Sequence, residues 1–228
     1  MCSAVWSSGT STSRVLEAAG PPPAPWLASP WRRLIELAMV APALALAAPV
    51  MAVVALAVAR VLGRPVLFRQ VRSGRAGRPV GILKFRTMTD AVDGDGRLLP
   101  DAERLVPLGR FLRASSLDEL PQLWSIVVGD MSLIGPRPLP MAYDERYSAS
   151  QARRLVTRPG LTGWAQVHGR NAISWTEKLA LDSWYVDHAT WRVDLSIVMR
   201  TLRMVVARTG VQAEGHATMP EFTGSPSD

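Results

Sequence analysis

Two adjacent acids, Asp118 and Glu119, lie among residues suited to binding a metal ion and a phosphorylated ligand. Arg113 precedes them, and residues 129–139 and 158–166 bring further arginines between glycine-rich turns. Carboxylate oxygens are ligands that magnesium prefers, and guanidinium groups bind phosphate through paired hydrogen bonds. The pattern therefore predicts a site that combines metal binding with phosphate binding.

A structural role for the same acids is also compatible with the sequence. Ser116 and Glu119 have the spacing of a capping box, in which both side chains satisfy backbone donors at a helix start. With Ser116 as N-cap, however, Pro121 falls inside the helix, where its missing N–H matters. A helix that starts at Pro121 avoids this problem and leaves Asp118 in the turn before its N-terminus. Both helix starts remain open at this point.

Composition limits the class of protein. The 228 residues allow one domain of ordinary size, and the single cysteine, Cys2, excludes an intramolecular disulfide and a cysteine-based zinc site. The net charge of +7 indicates an anionic partner, which by charge alone is nucleic acid, phospholipid or a phosphorylated substrate. Residues 1–28, rich in Ser, Ala, Gly and Pro, are predicted to be a disordered extension without a signal peptide.

Residues 37–59 contain no charge and are long enough to span a bilayer. Arginines lie on both sides of this run, whereas a spanning helix usually has its excess of Lys and Arg on one side. Pro49, which follows Ala48, is expected to break the helix. We therefore predict a re-entrant membrane helix-break-helix over residues 29–63, and a single crossing is the alternative.

Residues 64–228 are predicted to form the cytosolic catalytic domain. Short strands are expected at 65–70 and 80–86, and helices at 101–113, 141–156 and 192–208. The last helix is basic and amphipathic, so it suits either a membrane interface or ordinary packing with a solvated basic face.

Several motifs occur in one order and together resemble the bacterial sugar transferase family, the monotopic polyprenyl-phosphate phosphoglycosyl transferases. Besides the charge-free run, they are KFRTM at 84–88, SLDELPQ at 116–122, GDMSLIGPRPL at 129–139 and RPGLTGWAQ at 158–166. Residues 169–175 and 214–224 further resemble the short branch of this family that acts on UDP-linked N-acetylated sugars.

The resemblance implies an α/β, mainly helical cytosolic domain with an N-terminal re-entrant membrane hairpin. It also implies transfer of a sugar 1-phosphate from a UDP-sugar to undecaprenyl phosphate, with release of UMP. The matched Asp118 is the family's nucleophile, and the matched Glu119 is associated with Mg²⁺. These roles fit the chemistry, since a carboxylate nucleophile divides one difficult transfer into two easier displacements.

Cationic side chains must neutralise the diphosphate before a carboxylate can attack it. Arg113 and Arg137 are candidates for bidentate phosphate contacts, and Lys84 and Arg158 are further candidates with surface or lipid-facing charge as the alternative.

The resemblance places the protein at the cytoplasmic face of the bacterial inner membrane. Its expected partners are the UDP-sugar, undecaprenyl phosphate, inner-membrane lipids and later glycosyl transferases of the same pathway, without nucleic acid. Two departures are visible, because relatives commonly have Ser-Pro at Ala48–Pro49 and asparagine at His168. Two rival functions are a membrane-anchored basic binding module and a glycosyl transferase that releases UDP.

Overall fold

The computed structural model describes residues 20–169, 173–207 and 221–224. The fold is mainly helical, with two small two-stranded sheets among the described residues. The helices are α1 (Pro25–Ala28), α2 (Pro30–Leu62), α3 (Asp101–Arg104), α4 (Pro107–Ala114), α5 (Gln122–Val128), α6 (Ala149–Ala152), α7 (Trp164–Val167), α8 (Trp175–His188) and α9 (Trp191–Ala207). The strands are β1 (Leu67–Ser73), β2 (Pro79–Phe85), β3 (Ser132–Ile134) and β4 (Gly160–Thr162), and 3₁₀ turns cover Arg75–Gly77, Leu117–Glu119, Met141–Arg146 and Arg153–Val156.

Helix α2 contains the predicted membrane segment and is long and apolar enough to cross a bilayer. The predicted interruption at Ala48–Pro49 is not seen as a non-helical segment, because α2 continues through both Pro42 and Pro49. The structure therefore supports a long apolar membrane helix and leaves the re-entrant topology as a prediction. A proline can remain inside a helix when the surrounding packing compensates for the backbone hydrogen bond that it removes.

One side of α2 contacts the rest of the protein along its whole length. Arg32 and Glu36 are buried near its start, Val40 packs against Ile126 in its first half, and Val58 packs near its end. The opposite side is apolar and open. Its exposed residues are Trp31, Leu34, Ile35, Met39, Leu46, Val50, Val53, Leu56 and Val61.

The segment just before α2 is ordered, whereas the sequence predicted a disordered extension up to residue 28. Residues 1–19 lie outside the described residues, but residues 20–28 pack on the domain. Ala24 is buried and donates its N–H to the carbonyl of Val186 at 2.9 Å, and Trp26 donates its indole N–H to Asp194 at 2.8 Å. The tryptophan gives this proline-rich segment enough apolar surface and a buried polar partner to hold it in place.

The strands confirm the two β-prone runs. Strands β1 and β2 form an antiparallel hairpin in which Phe68 pairs with Lys84. Strands β3 and β4 form a parallel pair, with Ser132 opposite Gly160. Strand β3 ends directly before Gly135-Pro-Arg137, so the position of this strand determines where that loop begins.

The predicted helices are confirmed in part. The 101–113 segment is divided into α3 and α4, because Pro107 favours a new helix start. The 141–156 segment is a series of short 3₁₀ and α turns, whereas the 192–208 prediction corresponds to α9. In α9, Ile197 is buried, while one apolar stripe is exposed. That stripe consists of Trp191, Leu195, Met199, Leu202 and Val205.

Candidate active site

The acid pair lies in the turn before a helix, as the second of the two sequence interpretations expects. Ser116 adopts a left-handed conformation, with φ of 57°, and makes no side-chain cap, so the capping box is not formed. Asp118 and Glu119 occupy the following 3₁₀ turn, and α5 starts at Gln122 with Pro121 as its N-cap residue. A non-glycine residue in the left-handed region costs free energy, and such residues cluster at functional sites.

A close backbone approach brings Arg113 to the site. Gly109 in α4 lies against Thr87 so tightly that an added Cβ would come within 1.9 Å of the Thr87 carbonyl oxygen. Only glycine permits this contact, which draws α4 onto the segment that follows β2. Arg113, one turn later, donates from Nε to the Thr87 hydroxyl at 3.1 Å. The guanidinium is thus held beside the residues that follow Lys84.

Glu119 is held by two cations from distant parts of the chain. Its Oε1 accepts hydrogen bonds from Lys84 Nζ at 2.6 Å and from Arg137 at 2.7 Å. Burial alone would raise the pKa of Glu119, but the charges and hydrogen bonds of Arg137 and Lys84 hold it well below its usual range. Glu119 is therefore ionised at any physiological pH and fixes both cations at the site.

Asp118 has the opposite environment. Only 7% of the residue is exposed, and neither carboxylate oxygen accepts a hydrogen bond within the described residues. Burial, together with the Glu119 charge, raises the pKa of Asp118 to about 6, although Lys84, Arg113 and Arg137 act against this. Near pH 7 this carboxylate is mostly ionised, and its oxygens are not engaged by donors.

The loop that carries Arg137 is anchored by residues that the sequence did not single out. Arg154 is buried and donates to the carbonyl oxygen of Arg137. It also pairs with Asp182 at 2.9 Å and donates to the Tyr147 hydroxyl at 3.1 Å. Burial and the nearby Arg137 lower the pKa of Lys178 to about 8. The pairing of Arg154 with Asp182 has no local sequence signal, because the two residues are 28 positions apart.

Arg158 has different charged neighbours from the other three predicted cations. No hydrogen bond or ion pair joins it to Asp118 or Glu119 in the part of the chain that the structure describes. Burial and the neighbouring Arg33 and Arg75 lower the pKa of Arg158. Arg158 follows a 3₁₀ turn and precedes β4, and its place in the phosphate site stays a prediction.

His168 also lies apart from the acids. Its ring packs against Trp164, with 3.8 Å between the centroids, and its Nδ1 lies 2.8 Å from the Trp164 carbonyl oxygen. Its Nε2 lies 2.8 Å from a guanidinium nitrogen of Arg200. A neutral ring that donates from Nδ1 and accepts at Nε2 satisfies both contacts, so His168 has a packing role. In the two motifs assigned to the N-acetylated-sugar branch, residues 170–172 and 214–220 lie outside the described residues.

The donor set is suitable for a magnesium ion. Magnesium takes one or two carboxylates and completes its shell with phosphate oxygens and water. Glu119 uses Oε1 for its two cations, while its other oxygen and both oxygens of Asp118 make no hydrogen bond among the described residues. The site therefore has carboxylate oxygens for one divalent ion and three cations, Lys84, Arg113 and Arg137, for phosphate.

This arrangement is suited to nucleophilic attack on phosphorus. Asp118 offers an ionised, weakly solvated carboxylate, and the cations beside it can neutralise both an incoming diphosphate and a departing phosphate.

Known proteins match the chain over most of its length. Residues 27–208 match the bacterial sugar transferase family. An uncharacterized sugar transferase of Bacillus subtilis, EpsL, is 52% identical over 164 residues, which are 72% of this chain and 81% of the relative. The UDP-glucose:undecaprenyl-phosphate glucose-1-phosphate transferase of Caulobacter vibrioides is 42% identical over 75% of this chain and 68% of its own.

More distant relatives are longer proteins. The undecaprenyl-phosphate galactose phosphotransferase of Salmonella typhimurium is 37% identical over 65% of this chain, but the match covers only 35% of the relative. This chain is an enzyme of the bacterial sugar transferase family.

Proposed function

We propose that this protein transfers a sugar 1-phosphate from a UDP-sugar to undecaprenyl phosphate and releases UMP. The observation that carries the proposal is the buried Asp118 carboxylate, which accepts no hydrogen bond from the described residues and is adjacent to Glu119 with its two cations. Sugar-phosphate transfer to undecaprenyl phosphate is also what the Caulobacter and Salmonella relatives are named for.

The reaction proceeds in two displacements. An Asp118 oxygen attacks the phosphorus that bears the sugar, and the bond from this phosphorus to the bridging oxygen breaks, so that UMP leaves with the electron pair. A phosphate oxygen of undecaprenyl phosphate then attacks the same phosphorus and breaks its bond to Asp118. The products are undecaprenyl-diphosphate-sugar and the regenerated carboxylate.

The remaining site residues neutralise charge. Arg113, Arg137 and Lys84 contact the diphosphate oxygens and lower the repulsion that a carboxylate nucleophile meets. Glu119 holds Lys84 and Arg137 in place, and together with Asp118 it would hold Mg²⁺. When bound, Mg²⁺ supplies Lewis-acid stabilisation of negative charge on phosphate oxygens.

The nucleotide product distinguishes this proposal from its rivals. Purified protein in nanodiscs with undecaprenyl phosphate is incubated with a panel of UDP-sugars: UDP-glucose, UDP-galactose and their N-acetylated counterparts. UMP release that depends on magnesium is expected, and more than one equivalent of UMP per protein is expected only when the lipid is present. Release of UDP would indicate a glycosyl transferase, and absence of any nucleotide product across the panel would favour a binding module.

The same panel tests the sugar. Residues 169–175 and 214–224 lead us to propose an N-acetylated sugar, whereas the named relatives carry glucose or galactose in their names. The expected result is a kcat/KM for an N-acetylated donor at least about tenfold above that for UDP-glucose, a difference of about 1.4 kcal/mol. A preference for UDP-glucose or UDP-galactose would reject this part of the proposal.

We further propose that α2 is re-entrant and that the domain lies at the cytoplasmic face of the inner membrane. Both ends of α2 contact one domain: Arg32 near its start donates to the Ile134 carbonyl at 2.7 Å, and Arg86 donates to the Leu62 carbonyl at its end at 3.3 Å. A straight crossing would separate these ends by about 30 Å of hydrocarbon. The exposed apolar stripe of α9 gives a second surface suited to the interface. The lipid-linked product would then pass to glycosyl transferases of the same pathway.

Cysteine accessibility tests this topology. In a Cys2→Ser background, Ala28→Cys and Arg64→Cys place thiols at exposed positions on either side of α2. Both thiols are expected to be protected from an impermeant maleimide in intact cells and to react after lysis, which is the control for exposure. Labelling of one position alone in intact cells would establish a single crossing.

A further inference from the structure

The first turn and a half of α2 is bonded to the strand that leads into the candidate active site. Arg32 and Glu36 are charged residues at the start of an apolar helix, yet both are buried, at 8% and 6% exposed. Charged groups are rarely buried without a partner, and each of these two has several. Their partners lie in β3 and in the helices behind it.

The contacts reach three consecutive residues of β3. Arg32 donates to the Ser132 hydroxyl at 3.1 Å and to the Ile134 carbonyl at 2.7 Å. Glu36 accepts from the Ser132 hydroxyl at 2.7 Å and from the Leu133 N–H. Within residues 20–169, 173–207 and 221–224, the one strand hydrogen-bonded to β3 is β4, so these two side chains take the place that another strand would occupy.

The network is closed on its other side. Arg32 Nε pairs with Asp194 at 3.0 Å, and Asp194 also accepts from the Tyr185 hydroxyl at 2.6 Å and from Trp26 at 2.8 Å. The guanidinium of Arg32 thus connects α8 and α9 with β3 through hydrogen bonds in fixed directions. A lysine in its place could pair with Asp194 but could not make the other contacts at the same time.

The connection from β3 to Arg137 is short and tightly packed. Gly135 packs so closely that an added Cβ would lie 2.6 Å from the Arg158 carbonyl oxygen, and its N–H bonds the Thr162 carbonyl at 2.8 Å. Pro136 follows, and then Arg137, which pairs with Glu119. A displacement of β3 would therefore be transmitted to the guanidinium that meets the substrate.

The second half of α2 packs against the segments that carry the other two cations, Lys84 and Arg113. Val54 and Val58 pack in one cluster with Phe85 and Leu112. Phe85 directly follows Lys84, and Leu112 directly precedes Arg113. All three cations at the acid pair therefore lie next to segments that contact this one helix.

We propose that Arg32 and Glu36 are positioning residues for catalysis, which act through β3 to hold Arg137 at the acid pair. The membrane helix is then part of the scaffold of the active site as well as an anchor. This inference rests on the proposed function, since it concerns the reaction that Arg137 supports. Because misplacement of a catalytic group by about 1 Å can cost roughly a hundredfold in rate, small losses of order in β3 have measurable effects.

A double-mutant cycle tests the proposal. Arg32→Lys is measured in the natural protein and in an Arg137→Lys background, with UMP release as the assay. Arg32→Lys keeps the charge beside Asp194, and a lysine at 137 reaches its partners through a flexible stem that depends little on the position of the strand. The expected loss is about 10- to 100-fold in kcat in the natural protein, with little change in KM, and less than about threefold in the Arg137→Lys background.

Arg60→Lys is the matched control, because Arg60 lies on the same helix, is exposed and makes no hydrogen bond or ion pair among the described residues. It is expected to leave kcat unchanged. Ser132→Ala removes only the shared hydroxyl, so it provides the same cycle if Arg32→Lys does not accumulate. Its expected loss is about three- to tenfold, again absent in the Arg137→Lys background.

Equal losses in both backgrounds, or full activity of Arg32→Lys, would overturn the proposal and leave Arg32 as a stabilising residue only. Failure of the proposed function would look different, because the natural protein itself would then release no UMP. The cycle therefore separates the two hypotheses.

Discussion

The Asp118→Asn variant is expected to form no covalent adduct and to lose turnover by roughly 10⁴-fold or more, as is common when a nucleophile is removed. The amide keeps the shape of the carboxylate but is a far weaker nucleophile. The natural protein, incubated with its UDP-sugar and magnesium but without undecaprenyl phosphate, is expected to gain the mass of one sugar phosphate. The measurement is intact-protein mass spectrometry, with peptide mapping to Asp118.

The chemistry of the adduct gives a second readout. An acyl phosphate on Asp118 is expected to be removed by hydroxylamine, and UMP is expected to appear before the lipid binds, with ping-pong kinetics. Asp130→Asn is the matched control, since Asp130 is an exposed acid 12 positions further along and should retain adduct and turnover. Substantial turnover of Asp118→Asn, or a requirement for lipid before any UMP is released, would favour direct transfer.

The same variant is expected to be more stable than the natural protein. The pKa of Asp118 is raised to about 6 in the folded state, compared with about 3.9 for an unfolded aspartate. Between these values the folded state binds more protons, so stability is lost as the pH rises from about 4 through 6. Asp118→Asn removes this loss, which is on the order of 1–3 kcal/mol above pH 7 and absent below pH 4. Thermal unfolding without magnesium measures it, and a destabilised variant at pH 7 would contradict the environment described for Asp118.

The Glu119→Gln variant is expected to lose turnover by several powers of ten, on the order of 10³-fold. The amide oxygen can still accept hydrogen bonds, but a neutral amide cannot neutralise the charges of Lys84 and Arg137, which Glu119 holds at 2.6 and 2.7 Å. It also removes the charged oxygen proposed to bind magnesium. Steady-state UMP release at increasing magnesium concentrations measures both effects.

Metal binding separates the two roles of Glu119. Loss of a magnesium ligand predicts that Mn²⁺, used as a probe and followed by electron paramagnetic resonance, binds at least about tenfold more weakly to Glu119→Gln. Glu103→Gln is a suitable control, because Glu103 is exposed. Unchanged Mn²⁺ affinity would assign Glu119 to charge neutralisation alone and move the metal role to another acid.

Local features of the sequence were sufficient for part of this description. The charge-free run at 37–59 predicts the long apolar helix because composition alone decides whether a segment of that length can enter a bilayer. The β-prone runs on either side of the 73–79 turn predict the hairpin, since turn residues and β-branched residues act over a few positions. The ordered motifs at 84–88, 116–122, 129–139 and 158–166 indicate the family, which the match over residues 27–208 confirms.

The tertiary structure decided which of the charged residues meet. Lys84 and Arg137 are 35 and 18 positions from Glu119, and their contacts depend on how a hairpin and a loop pack around the 3₁₀ turn. Arg158, which the motifs offered only as a further candidate, has Arg33 and Arg75 as charged neighbours. Residue type and spacing carry no information about such distances, because long-range contacts follow from the packing of whole elements.

At the start of the membrane helix, too, the sequence indicated the element and the tertiary structure decided its contacts. The sequence by itself determined that an apolar helix follows Arg32 and Arg33, and it suggested that these arginines were basic flanks of a membrane segment. Only the tertiary structure placed Arg32 and Glu36 inside the protein. The start of the helix packs beside one edge of β3, whose polar groups need hydrogen-bond partners, and beside Asp194, whose charge Arg32 neutralises. A buried charge is stable only where such partners converge, and they come from positions about 100 and 160 residues away, beyond the reach of any local pattern.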